Sequence, residues 1–296
     1  MRLILSKFSI ILQTKHKEQK MNVAIIGLGL MGGSLALSLK KLDFIDEIVG
    51  HDHNKEHQKE AIKLGLVDKI VPFDDIKNYD VIFLAIPVDG VIAVLKQLTD
   101  IKEHTTIIDL GSTKAKIVAA VPKEIRKNFV AAHPMTGTEN FGPHAAIEGL
   151  YEDKVVVLCD LEDSGEHQRE VARKIFKALG MKKYFMGAQE HDRHAAFISH
   201  MPHAISYSLA NTVMRQEKRD NILALAAGGF RSMSRLAKSS PYMWEDIFRQ
   251  NKDNLLEAIT LFEKELTQMK SYIENDEWDK VHQEMAYANK LHDILD

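Results

Sequence analysis

The sequence predicts an α/β fold, a doubly wound parallel sheet, followed by an all-α domain. Runs of apolar residues alternate with amphipathic segments up to Gly187, and no strand pattern follows that residue. Near-continuous apolar strands that alternate with helices are typical of parallel sheets covered on both faces. A chain of 296 residues is long enough for two domains, each with its own core.

The first domain is predicted from its strands and the helices between them. Strand patterns lie at residues 23–26, 48–50, 81–86, 106–110, 129–132, 155–158 and 182–186. Helical patterns lie between them at residues 31–41, 54–64, 90–98 and 166–179. The last two strands and their helix form one more βαβ-like unit, so we assign residues 21–187 to the sheet domain.

The second domain, residues 188–296, is predicted to be all-α. Residues 191–215, 221–227, 242–273 and 276–294 carry apolar residues three and four positions apart. One such stripe consists of Leu255, Ile259, Phe262, Leu266 and Met269. Stripes this apolar in a small domain are expected to form a core or to bury surface against a second copy of the chain. The sequence therefore predicts a dimerisation domain and a homodimer.

Composition excludes several classes of protein. A formal net charge of −3 provides no broad basic surface, so nucleic acid is not an expected partner and an anionic substrate must be bound by a local cluster of cations. No run of about 18 apolar residues is present, so no membrane span is expected. Cys159 is the only cysteine, which excludes an internal disulfide and a cysteine-based zinc site. A reducing, cytoplasmic location fits these features.

The first 20 residues are basic and contain only short apolar stretches. They lack the longer apolar core and the small-residue cleavage site of a secretory signal. Met21 directly precedes the first predicted strand. We therefore expect residues 1–20 to be a poorly ordered extension or the result of an upstream start.

The first strand leads directly into the glycine-rich segment Gly27-Leu28-Gly29-Leu30-Met31-Gly32, and an apolar helix follows. In this context the first glycine permits a tight turn, the second lets a pyrophosphate approach the backbone, and the third lets helix and strand pack closely. The phosphates would lie at the N-terminus of the helix. The segment therefore predicts a dinucleotide site in a Rossmann-type sheet.

Asp52 ends the second predicted strand, about 20 residues after the glycines, where a carboxylate can bind the adenosine ribose hydroxyls. The same carboxylate would repel a 2′-phosphate, and no arginine is adjacent, so NAD is predicted rather than NADP. Ala85 and Pro87 end another strand, where backbone beside the cofactor is expected. A loop proline after a buried strand is the alternative interpretation of Pro87.

Two further strand ends carry candidate catalytic groups. Ser112 follows the strand at residues 106–110, and His133 ends the strand at residues 129–132. The carboxyl ends of parallel strands are the edge where ligands bind. Because histidine has a reference pKa of about 6.5, a largely neutral His133 could accept a hydroxyl proton at physiological pH. A buried structural histidine is the alternative. With the nucleotide fingerprint, these residues suggest a dehydrogenase.

From Met21 to Asp296 the chain resembles the prephenate and arogenate dehydrogenase family of tyrosine biosynthesis. The resemblance depends on five motifs in combination: residues 27–34 (GLGLMGGS), 109–114 (DLGSTK), 133–139 (HPMTGTE), 199–203 (SHMPH), and 235–237 (RLA) before Trp244. It implies NAD-dependent oxidation of prephenate at ring carbon 4, with loss of the ring carboxylate as carbon dioxide. Aromatisation makes the decarboxylation downhill, and no metal is required.

The resemblance also implies roles for individual residues. His133 would accept the hydroxyl proton, and Ser112 would orient both that histidine and the nicotinamide. Arg235 would bind the ring carboxylate, with His203 near the substrate side chain. The pocket would be bordered by Thr138, Glu139 and Trp244. Arg231 precedes Arg235 by one helical turn and is either a second cation for the substrate or a solvated surface charge.

Four histidines, at positions 191, 194, 200 and 203, could suggest a metal site instead. On a continuous helix of 3.6 residues per turn the two pairs face about 180° apart, so they could not enclose one ion. No metal is therefore expected.

Three other functions stay open. Arogenate differs from prephenate only by an amino group in place of the keto group, so an arogenate dehydrogenase would carry the same motifs. A β-hydroxyacid dehydrogenase shares the two-domain layout but depends on a catalytic lysine in its second domain and does not need residues 133–139. A non-catalytic NAD-binding sensor would need neither His133 nor Arg235.

Overall fold

The computed structural model describes residues 20–295. The chain folds into two compact units, the first ending at Ala188 and the second beginning at Gln189. Most of the extension expected at residues 1–20 lies outside the described residues, and that expectation stays a prediction.

The first unit is built on one eight-stranded sheet with the strand order β3-β2-β1-β4-β5-β6-β7-β8. The strands are β1 (Met21–Ile26), β2 (Ile45–His51), β3 (Lys69–Ile70), β4 (Val81–Leu84), β5 (Thr106–Asp109), β6 (Phe129–Pro134), β7 (Val155–Cys159) and β8 (Lys182–Met186). The order reverses at β1, which pairs with β2 on one side and β4 on the other. In such sheets the crevice at the reversal point is where ligands bind.

Neighbouring strands are parallel, as predicted, except that β6 and β7 are antiparallel. The connection between these two strands contains a short 3₁₀ turn, Pro143–Ala145, rather than a crossover helix. A parallel pair needs a crossover of a dozen or more residues, usually helical, whereas an antiparallel pair does not. The predicted fold class, a mostly parallel doubly wound sheet followed by helices, is confirmed.

Helices cover both faces of the sheet. They are α1 (Leu30–Leu39), α2 (Lys55–Lys63), α3 (Val88–Leu95), α4 (Ala115–Ala120) and α5 (Glu166–Ala178). Apolar side chains of α1, α2 and α5 pack into the core on one face, and those of α3 and α4 pack into the core on the other. Burial on both faces explains why the central strands are almost wholly apolar.

The second unit is helical throughout. Its helices are α6 (Ala188–Ala195), which begins at the last residue of the first unit, α7 (Met201–Gln216), α8 (Arg219–Leu225), α9 (Gly228–Ser234), α10 (Pro241–Gln250), α11 (Lys252–Glu274), α12 (Trp278–Asn289) and α13 (His292–Leu295). A π-helical turn, Ala196–His200, joins α6 to α7. Pro202 follows in the first turn of α7, where a missing backbone N–H is tolerated.

Three predicted helices of the second unit are interrupted in the structure. The π-helical turn lies within residues 191–215, and two residues separate α12 from α13 within residues 276–294. The sequence predicts a single helix over residues 242–273, but the structure divides it at Asn251 into α10 and α11. The buried Asn251 amide donates to the carbonyl oxygen of Asp192 at 2.6 Å and lies 3.1 Å from His200 Nδ1. These buried polar contacts hold the junction in a conformation that apolar periodicity does not reveal.

The predicted apolar stripe lies along α11. Leu255, near the start of the helix, is buried, but Leu266 is 58% exposed. The stripe therefore begins in the core of the second unit and continues onto its surface. Within the described part of the chain, no helix combines the length and apolar character needed to cross a bilayer.

Candidate active site

The glycine-rich loop between β1 and α1 has little spare room except at one position. A Cβ on Gly27, whose φ is +95°, would overlap the Ala85 carbonyl oxygen, and a Cβ on Gly32 would overlap the Gly27 carbonyl oxygen. By contrast, the closest atom to a Cβ on Gly29 would be a backbone nitrogen 3.9 Å away. The loop backbone is thus tightly packed on both sides of Gly29 and open at that residue, as close approach of a pyrophosphate requires.

The apolar residues of the predicted dinucleotide segment pack against the core. Leu28 and Leu30 are buried in the core between sheet and helix, and Met31 is partly buried. β4 ends at Leu84, so Ala85 and Pro87 form the short connection to α3 rather than the end of a longer strand. The Ala85 carbonyl lies against the glycine loop.

Asp52 directly follows β2 and is 5% exposed. Its Oδ2 accepts the backbone N–H of Leu28 at 2.9 Å, and its Oδ1 accepts that of Asn54 at 2.8 Å. His53 and His57 each place Nδ1 within 3.5 Å of the same carboxylate. The carboxylate therefore lies against the glycine loop, where the adenosine ribose of a bound dinucleotide is expected.

Ser112 and His133 are positioned by the adjacent parallel strands β5 and β6. β5 ends at Asp109, and Ser112 is a half-buried residue of the turn that follows. His133 is the fifth residue of β6 and is 9% exposed. His133 pairs with Val157 of β7 on its other side. The structure thus brings the turn of Ser112 and the strand end of His133 to the same edge of the sheet.

A fully buried ion pair lies beneath this edge. The Lys114 ammonium contacts the Asp109 carboxylate, and both side chains have zero solvent exposure. Burial raises the pKa of Asp109, and the Lys114 charge opposes that rise. Asp109 and Lys114 lie in the motif at residues 109–114, in which a role was predicted only for Ser112. The ion pair between them could not be predicted, because the spacing of the two residues in the sequence does not show that either side chain is buried.

The segment between β6 and β7 carries Thr138 and Glu139, both half-buried. Two contacts bind this segment to α1. The Tyr151 hydroxyl donates to the Met31 carbonyl oxygen at 2.8 Å, and the Ile147 N–H donates to Ser34 Oγ at 2.8 Å. No sequence pattern indicates this role of Tyr151, because the contact joins residues 120 positions apart.

In the second unit the structure brings together three predicted substrate residues. The rings of His203 and Trp244 stack with their centroids 3.5 Å apart, and His203 Nδ1 lies 2.9 Å from the Ser199 carbonyl oxygen. Burial lowers the pKa of His203, the hydrogen bond with the Ser199 carbonyl oxygen opposes this shift, and the positive charge of Arg235 lowers the pKa further. His203 is therefore held neutral, because burial and a nearby cation both disfavour the charged imidazole.

Arg235 follows α9 directly and is exposed. Side chains of α7 fix the backbone around it. Ser206 Oγ donates to the Met233 carbonyl oxygen at 2.8 Å and accepts the Ala237 N–H at 3.0 Å, and the Tyr207 hydroxyl donates to the Ser239 carbonyl oxygen at 2.7 Å. Neither Ser206 nor Tyr207 was predicted to have this role. Arg231 is also exposed, and its Nε donates to the Ala226 carbonyl oxygen at 2.9 Å.

The four histidines of α6, the π-helical turn and α7 do not follow the geometry of a continuous α-helix. Because a π-helical turn shifts the helical phase, His191 and His200 are both buried, while His194 is half exposed. Nδ1 of His191 pairs with Asp192 at 2.8 Å, and burial lowers the pKa of His200 to about 4. Across residues 20–295, no three His, Cys, Asp or Glu side chains form a group that could hold a metal ion.

Comparison with known proteins gives matches over both units. Residues 35–185 match the family model described as prephenate dehydrogenase, nucleotide-binding domain, and residues 187–287 match prephenate dehydrogenase, dimerization domain. The chain is 31% identical to prephenate dehydrogenase of Bacillus subtilis over 285 residues, which cover 94% of this chain and 77% of that protein.

Two solved structures share the fold over nearly the whole chain. Prephenate dehydrogenase of Aquifex aeolicus, in complex with hydroxyphenyl propionate and NAD⁺, is 31% identical, with a TM-score of 0.87 over 94% of this chain and 99% of that one. Arogenate dehydrogenase of Synechocystis is 26% identical, with a TM-score of 0.76 over 93% of this chain and 100% of that one.

Proposed function

Because the chain belongs to the prephenate dehydrogenase family, we propose that it catalyses the NAD-dependent oxidative decarboxylation of prephenate to 4-hydroxyphenylpyruvate, a step of tyrosine biosynthesis. The observation that carries this proposal is the position of His133. His133 lies at the end of β6, at the same edge of the sheet as Ser112. The same unit contains the glycine-rich loop, which is open at Gly29.

NAD fits the residues present, since Gly29 leaves room for a pyrophosphate and Asp52 offers a carboxylate to the ribose hydroxyls. When bound, NAD would accept a hydride from ring carbon 4. His133 would take the proton of the carbon-4 hydroxyl as general base. Ser112 would orient both the His133 imidazole and the nicotinamide ring. The ketone formed at carbon 4 then accepts the electron pair left by the departing carboxylate, so decarboxylation needs no other electron sink.

The dianionic substrate needs cations and polar groups of its own. We propose that Arg235 binds the ring carboxylate, since a guanidinium can bind a carboxylate through two hydrogen bonds. His203, stacked on Trp244, would contact the side chain of the substrate as a neutral hydrogen-bonding group. Thr138 and Glu139 would contribute from the segment after β6. Each assignment is a proposal that substitution of the residue can test.

We further propose that the enzyme is a homodimer through its second unit. Residues 187–287 match a dimerization-domain model, and large apolar side chains of this unit are exposed in the single chain, among them Leu225 at 79% and Leu266 at 58%. Contiguous apolar surface marks sites that bind another protein chain, and we propose that these side chains contribute to such a surface. A cytoplasmic location agrees with a sequence that contains one cysteine, Cys159, whose side chain is buried.

The proposal is tested by following nicotinamide reduction at 340 nm with purified protein, offering NAD or NADP with prephenate or arogenate. Turnover with NAD and prephenate is the expected result. Turnover with arogenate alone would retain the mechanism and change the substrate. No reduction with any of the four pairs, in protein that binds NAD, would refute the enzymatic function and favour an NAD-binding sensor.

The cofactor preference can be tested at Asp52. Asp52→Asn removes the negative charge and keeps a similar shape, so the kcat/KM ratio of NAD over NADP should fall by about 10–100-fold, the value of one charge-assisted hydrogen bond. Asp46→Asn, on the exposed part of the same strand, is the matched control. A ratio that is the same in Asp52→Asn as in the control would show that Asp52 does not select the cofactor.

A further inference from the structure

The buried ion pair of Asp109 and Lys114 binds the peptide that precedes His133. Asp109 Oδ1 accepts the Ala132 N–H at 3.2 Å, and Lys114 Nζ donates to the Ala132 carbonyl oxygen at 2.8 Å. Backbone pairing between β5 and β6 ends one residue earlier, at Asp109 and Ala131. The two side chains therefore continue the contact between the strands for one residue, up to His133.

The same pair also binds the turn that carries Ser112. Asp109 Oδ2 accepts the Gly111 N–H at 3.1 Å and contacts the Lys114 ammonium. Lys114 is the residue that precedes α4, so the turn from Asp109 to Lys114 closes around a single carboxylate. Ser112 lies in the middle of this turn.

Stability alone does not explain this pair. Taking two charges out of water is costly, and a buried ion pair is often no more stabilising than apolar residues of the same volume. Neither charged group is exposed, so neither can touch substrate or cofactor directly. What the pair does provide is one rigid connection between two backbone segments, each of which carries a proposed reacting residue.

We propose that Asp109 and Lys114 are positioning residues, which fix the separation and direction of Ser112 and His133 by binding the backbone of both. This inference deepens the proposed function and rests on it, since it takes His133 and Ser112 as the residues that handle the proton. A misplacement of a catalytic group by about 1 Å can lower the rate by about 100-fold.

The test uses the full-length enzyme with Lys114→Met, Asp109→Asn and the double variant. Each single change removes one charge of the ion pair and leaves the opposite charge buried, so it should destabilise the fold. The double variant is neutral and should regain stability. Asn128→Ala is the control, because the Asn128 amide donates to the carbonyl oxygens of Lys102, Glu103 and Thr105 at the opposite end of these strands.

We expect the double variant to have a melting temperature close to that of the wild type and a kcat lower by about 10–100-fold. Its KM for NAD should stay within about twofold of the wild type. Asn128→Ala should lose stability with kcat little changed. If kcat returns to the wild-type value together with stability in the double variant, the pair is purely structural and the inference is wrong.

A second readout needs no turnover. In protein labelled at histidine, the His133 ring signal can be assigned by its loss in His133→Asn. We expect a single sharp His133 signal in the wild type and a broadened or multiple signal in the double variant, as the ring samples several directions. An unchanged signal would overturn the inference even if no substrate pair is turned over, so its failure and that of the proposed function can be told apart.

Discussion

Replacing His133 by asparagine is expected to lower kcat by about 10²–10⁴-fold, the usual contribution of a general base. Asparagine is polar and close to histidine in size, so it can occupy this 9% exposed position at the end of β6 without an apolar cavity. It cannot accept and hold a proton. The substrate hydroxyl would then have to lose its proton to water, in a place where little water has access.

The measurement is kcat at saturating NAD and prephenate, with circular dichroism to show that the fold is intact. His104→Asn is a matched control, because His104 is 59% exposed and precedes β5 at the opposite edge of the sheet. The control should retain wild-type turnover. Near-normal turnover in His133→Asn would remove this histidine from the mechanism.

Replacing Arg235 by glutamine is expected to raise the KM for prephenate by about 10–100-fold. Charge-assisted hydrogen bonds contribute about 1.5–3 kcal/mol, and glutamine retains a donor but loses the charge. Ser206 and Tyr207 fix the backbone on both sides of Arg235, so the substitution should leave the local fold intact. The KM for NAD should be unaffected, since that cofactor is proposed to bind the first unit.

Arg231→Gln provides the comparison for this experiment. Arg231 lies one turn earlier, is exposed, and donates to a backbone carbonyl within its own segment. Its substitution should change the KM for prephenate by less than about threefold, as for a surface charge. An unchanged KM in Arg235→Gln would mean that another cation binds the ring carboxylate, and a large effect in Arg231→Gln would identify that cation.

The fold class could be predicted because the apolar patterns that indicate it lie within short segments of the sequence. Apolar strands separated by helical patterns define the sheet, and the predicted α/β class with a helical second domain is confirmed. One strand and two α-helices without such patterns were missed: β3 with two residues, α4 with six and α9 with seven. The antiparallel pairing of β6 and β7 was also missed, because it depends on the connection between the strands rather than on either strand.

The positions of candidate site residues could be predicted where these residues lie at strand ends. Gly27, Asp52, Ser112 and His133 all lie after or at the ends of strands, and the topology of a parallel sheet brings such positions to one edge. The supporting contacts were not predictable. Lys114, for instance, donates to the carbonyl oxygen of Ala132, 18 residues away. Sequence periodicity does not indicate that a lysine side chain is buried in the core.

The two contacts of Tyr151 and Ile147 with α1 restrict how substrate choice could be altered by engineering. The segment after β6 is fixed to the helix that begins at the glycine-rich loop, through the Met31 carbonyl oxygen and Ser34 Oγ. A segment transplanted from a relative with another substrate would therefore need a tyrosine at position 151 and a backbone that still reaches Ser34. Without both anchors, the grafted residues would have the right identities but would be displaced, and α1 beside the glycine-rich loop would lose two hydrogen bonds.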